Sequence, residues 1–120
     1  VRQLLVVIDK SPEIGHHCGT IVSEGLRAAM GLAGMDIDTT VVLVNDAVLT
    51  VIREQNAQAT EMKDLDKFLK DAPEFGLKIL VHLESAKKRG IRDDQLTGFS
   101  TVNTEQLMQL AHEVDGTITF

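Results

Sequence analysis

The chain has 120 residues, 43% hydrophobic and 25% charged, with a formal net charge of -6. That length and apolar content give one domain with its own core and exclude disorder, while the acidic balance, no Trp, no Tyr and four Phe exclude a phosphate-backbone binder or base-stacking surface. No apolar run reaches the roughly 20 residues a membrane helix needs, and the one cysteine, Cys18, leaves no intrachain disulfide and fits a reducing, cytoplasmic compartment.

Residues 4–8 (LLVVI) form a continuous apolar run closed by Asp9, Lys10, Ser11 and Pro12. A run without alternation predicts a strand buried on both faces, as in a parallel sheet covered by helices. The loop that follows, DKSPEIGHHCG over residues 9–19, is long for a strand-to-helix connection, which usually takes about 2–6 residues. Residues 20–33 are predicted helical, because Val22, Leu26, Ala29, Met30 and Ala33 recur at spacings of three and four. Gly34 is the expected left-handed cap, and Gly25 and Gly31 inside the helix point to close packing on a sheet.

The second strand is residues 39–44 (TTVVLV), stopped by Asn45-Asp46. Asp46 is the expected cap of a helix over residues 47–53. Residues 55–63 (QNAQATEMK) are polar and aperiodic, hence an exposed loop, and residues 65–71 give a short helix. A third strand at 78–82 (KILVH) leads into a basic helical turn, LESAKKRG, with Gly90 as its cap. A fourth strand at 99–102, a helix at 104–112 and a fifth strand at 117–120 complete the series. Thr104 is the expected N-cap of that last helix, and Leu107, Met108, Leu110 and Ala111 its inward face. Strands alternating with helices along the whole chain predict an α/β fold, a three-layer α/β/α domain over residues 1–120 with a five-stranded parallel sheet.

In such sheets the functional loops follow the carboxyl ends of the strands. The first loop offers Ser11, His16, His17 and Cys18, a thiol beside imidazoles and the start of a helix, which is the setting that lowers a cysteine pKa. The alternative is an inert surface thiol. No pair with zinc-type spacing accompanies it, and no phosphate-binding glycine motif occurs, so neither a metal nor a cofactor is expected. The second loop offers Asn45 and Asp46. The third offers His82, Ser85 and Arg89 beside Lys87 and Lys88, either a solvated basic face or the rim of a site for an anionic or sulfur-bearing ligand.

The Gly19-Thr20 loop end, the helix SEGLRAAMGLA, the strand end VVLVNDAV, the segment VHLESAKKRGI and the terminal DGTITF resemble the DsrE/DsrF-like sulfur-relay family, in particular its DsrF/TusC branch. The resemblance implies strand order 4-3-2-1-5 and assembly as homotrimers, homohexamers or mixed hexamers with DsrE-like subunits. It also implies contact with a TusA-like sulfur carrier protein, while composition speaks against membrane or direct nucleic-acid binding. Competent members hold a persulfide-forming cysteine at the end of the third strand, and here that place is taken by His82. An imidazole forms no persulfide. The first expectation is therefore a non-cysteine subunit or oligomeric binding module of a sulfur-relay system. The second is a sulfurtransferase using Cys18 as a relocated carrier. Two strand spacings put the first and third strand ends roughly 9.5 Å apart, a distance the first loop can span, with His82 as base or orienter. The third is a small-ligand or regulatory protein that kept the fold and lost sulfur transfer.

Overall fold

The strand β1 (Gln3–Ile8) sits between two parallel neighbours, which accounts for its unalternating LLVVI run. The computed structural model describes residues 2–10, 17–51, 70–96 and 98–120. Within them the order is β1, α1 (His17–Gly34), β2 (Asp38–Leu43), a 3-10 turn (Asn45–Thr50), a second 3-10 turn (Ala72–Phe75), β3 (Lys78–His82) and α2 (Leu83–Lys88). A third 3-10 turn (Asp93–Leu96), β4 (Ser100–Val102), α3 (Thr104–Glu113) and β5 (Gly116–Thr119) follow. All five strands are parallel in the order β4-β3-β2-β1-β5. The expected α/β architecture and strand order are thus those observed.

Side-chain alternation divides the sheet into two faces. Val6, Ile8, Val41, Leu43 and Val81 point to one face and meet Val22, Leu26 and Ala29 of α1 and Ala86 of α2, all fully buried. This face holds the main core. The opposite face carries Thr40, Lys78 and Leu80, beside Leu110 of α3. Burial on α3 is shallow: none of its residues is buried and Met108 is 68% exposed. The inward assignment of Met108 and Ala111 is therefore corrected, since the helix rests on the sheet along a narrow stripe through Leu107 and Leu110.

Gly25 shows why α1 can lie so close to β1. A Cβ there would meet Ile8 Cδ1 at 2.8 Å, Ile8 Cγ1 at 3.0 Å and Phe120 Cδ2 at 3.3 Å. Ile8 is fully buried and cannot retreat into solvent. Gly25→Ala is expected to lose about 1 kcal/mol net: overpacking costs ~1–3 kcal/mol, and better helix propensity returns up to ~1 kcal/mol. A lower midpoint in urea at unchanged slope checks it. Gly31 has no such neighbour, so its packing role is corrected.

Several caps differ from the pattern expected. α1 begins at His17 and absorbs Gly19, so His17 and Cys18 lie on helical backbone and not in the preceding loop. At its other end Gly34 is still helical, and Asp36 takes the left-handed conformation (φ 62°), a role Asp tolerates. Asp46 does not cap a helix: the segment is a 3-10 turn preceded by Val44, with no side-chain cap. Asn103, not Thr104, caps α3, its Oδ1 accepting from the Gln106 N–H at 2.7 Å while Gln106 Oε1 accepts from the Asn103 N–H at 2.9 Å. Asn103→Ala removes the half of this box that Oδ1 accepts and should cost about 1 kcal/mol, seen as a lower thermal midpoint. Gly90 has the expected left-handed φ of 72°. Of the helix read over 65–71, residues 70 and 71 are helical; residues 65–69 and the 55–63 loop lie outside the described residues.

Candidate functional site

Parallel strands bring the ends of β1, β2 and β3 to one edge of the domain. His82 closes β3 and is the N-cap of α2, with extended backbone (φ −72°, ψ 116°) and a side chain 14% exposed. Its Nδ1 lies 2.6 Å from Ser85 Oγ and accepts from the Ser85 N–H at 3.3 Å. An Nδ1 that accepts carries no proton, so the ring proton sits on Nε2. Nε2–H then donates to Thr104 Oγ1 at 2.8 Å. The Thr104 hydroxyl in turn donates to the Glu84 carboxylate, which also accepts the Thr104 backbone N–H at 2.7 Å. The result is a directed chain from the Ser85 hydroxyl through imidazole and the Thr104 hydroxyl to a carboxylate.

Ser85 is 4% exposed and anchors the inner end. Its Oγ accepts the Asn45 N–H at 2.9 Å, so both its donor and an acceptor position are used. Asn45 presents that N–H from a left-handed conformation, φ 50°, which Asn adopts more readily than most residues. Beside it, Arg89 Nε and Nη2 reach Asp46 Oδ1 at 3.0 and 2.9 Å, and Nη1 donates to the Ser85 carbonyl at 3.1 Å. Arg89 therefore ties the end of α2 to the turn after β2.

Glu84 is exposed, yet its carboxyl is held below the ordinary value of 4.5. The Thr104 hydroxyl is the main cause, followed by the Thr104 backbone N–H. A depressed folded-state pKa contributes stability above the unfolded value and loses it as pH falls through the folded one. Stability should therefore decline below pH 4.5, and Glu84→Gln should flatten that decline in unfolding curves recorded across the acid range.

Of the residues expected from the sequence, His82, Ser85, Asn45, Asp46 and Arg89 converge here. His17 and Cys18 lie in the first turn of α1 by their backbone, while Ser11 and His16 fall outside the described residues. The sequence reading missed Thr104 and Glu84 as site residues. Among the described residues no group of three or more His, Cys, Asp and Glu is arranged to hold a metal.

A parallel 4-3-2-1-5 sheet whose polar cluster gathers at the carboxyl ends of β2 and β3 defines a small three-layer α/β protein with a strand-end site. The chain belongs to the DsrE/DsrF-like family, whose model matches residues 5–120. No curated protein matches it in sequence. Among solved structures it is similar to the ychN protein from E. coli, at 19% identity, with all of both chains covered and a TM-score of 0.81. That likeness is one of fold. Family membership carries a sulfur-relay-related role and a general habit of oligomeric assembly with partner proteins. No described helix is long and apolar enough to cross a membrane.

Proposed function

We propose that this chain is a sulfur-relay subunit that shapes a sulfur-handling assembly without itself carrying sulfur, as in the DsrF/TusC branch. The supporting observation is the state of position 82. The end of β3 carries an imidazole with both nitrogens hydrogen-bonded, to Ser85 and to Thr104. Such a group cannot accept sulfane sulfur, and its bonds brace β3, α2 and α3 against one another. The working form is a cytoplasmic homotrimer, homohexamer or mixed hexamer with cysteine-bearing DsrE-like subunits, met by a TusA-like carrier.

Incubation with inorganic polysulfide, followed by alkylation and intact mass measurement, tests this reading. The wild-type chain should gain no sulfur under conditions that load a cysteine-bearing family member, and native mass should show a stable oligomer. A second reading is favoured by one observation, that the backbone of Cys18 lies in the first turn of an 18-residue helix, a placement reactive cysteines often share. In it, the Cys18 thiolate attacks a sulfane sulfur, the donor thiolate departs, and a persulfide forms. A one-sulfur mass gain that disappears in Cys18→Ser would establish this second reading and overturn the first.

A further inference from the structure

At the opposite end of β3 from His82, the sheet face beside α3 opens into a cavity of about 620 Å³. Lys78 and His82 are the first and last residues of that strand, about 13 Å apart along it. The cavity is thus separate from the strand-end site. Its walls include Leu77, Leu80, Phe99 and Leu110, with Pro73 at one side. A volume of this size falls inside the roughly 300–1,000 Å³ of small-molecule sites, which pair apolar walls with a few placed polar groups.

The polar groups here are Thr40, Lys78 and Ser100, supplied by three adjacent strands. Register sets Thr40 beside Lys78 and Leu80 beside Ser100, and strand alternation turns all four to the same face. No carboxylate pairs with Lys78 among the described residues, whose ion pairs lie elsewhere. The Thr40 and Ser100 side chains likewise have no hydrogen-bond partner among them. An ammonium and two hydroxyls without partners among the described residues, bordering an apolar hollow, complement a negative head group on an apolar body.

We propose that this cavity binds a small amphipathic monoanion, an aliphatic or aryl carboxylate. Its head group lies between Lys78, Thr40 and Ser100, and its apolar body runs along Leu80, Phe99 and Leu110. Calorimetric titration of the full chain with octanoate, and with octanol as a neutral control, tests it. Octanoate should bind saturably with one site per chain. Lys78→Met should weaken octanoate about tenfold, the scale of one charge-assisted hydrogen bond, and leave octanol unchanged. Ser100→Phe, which fills the cavity from an exposed edge strand, should weaken both. Non-saturable binding, or octanoate affinity unchanged in both variants, would overturn the proposal. So would a drop in native mass in Ser100→Phe without octanoate binding to wild type, which would mean that a second copy covers this face. None of these readouts depends on sulfur transfer.

Discussion

His82→Cys is expected to turn a strand end that takes up no sulfur into one that carries a persulfide. The substitution leaves a thiol at the N-cap of α2, where the Ser85 N–H and Ser85 hydroxyl now serve His82 Nδ1. Both donors become free for a thiolate, and hydrogen bonds to the charged form lower its pKa. That thiolate attacks the terminal sulfur of a polysulfide, the shortened polysulfide leaves with the electron pair of the broken S–S bond, and the protein keeps one added sulfur. The measurement belongs in a Cys18→Ser background, so that any added sulfur reports position 82. A folded variant whose thiol reacts with iodoacetamide but never gains sulfur would separate the β3 end of this chain from the family's sulfur position.

His82→Ala is expected to destabilise the fold by about 3 kcal/mol. Loss of a helix N-cap costs about 1 kcal/mol, and each of two further hydrogen bonds, to Ser85 Oγ and Thr104 Oγ1, about 1 kcal/mol. The inner bond weighs more than its mean value because Ser85 is buried, and a buried donor that loses its partner costs more than an exposed one. His82→Asn should recover about 1 kcal/mol of this, since Asn caps helices well but does not reach Thr104. Urea unfolding of the three proteins at neutral pH decides the matter. A loss within about 0.5 kcal/mol, the range of ordinary surface substitutions, would show the imidazole to be a bystander.

The strands that pass through the centre of the sheet were legible because double-sided burial writes itself as LLVVI and TTVVLV. The α1 stripe was legible for a similar reason, its apolar residues falling on one helical face. α3 misled because its apolar residues also keep helical spacing, and spacing alone does not say how deeply a helix is seated. Asn103 and Thr104 are both good caps, and only the backbone conformation separates them. In the site, the His82–Ser85 bond was open to a sequence reading, since a side chain three residues before a backbone N–H is the spacing of an N-cap. Thr104 was not. It joins His82 because β3 and β4 pair with His82 opposite Val102, which places Thr104 two residues past the register point. Likewise Asp46 resembled a cap until the fold brought Arg89, 43 positions away, within reach.

The strand order has one more effect, on the path by which the chain finds this structure. β1 takes its second neighbour from β5, and Gln3 exchanges hydrogen bonds with Asp115 across 112 positions. Pairings of such separation close late, because the entropy of joining distant segments is spent before their contacts form. The other three pairings advance stepwise from β1 to β4, each joining strands consecutive in the chain. A four-stranded intermediate with one flank of β1 still bare should therefore precede the complete sheet. Amide exchange pulsed during refolding would show β2 and β3 protected before the amides of β5. During synthesis, that bare flank is the surface on which a nascent chain most needs protection from its neighbours.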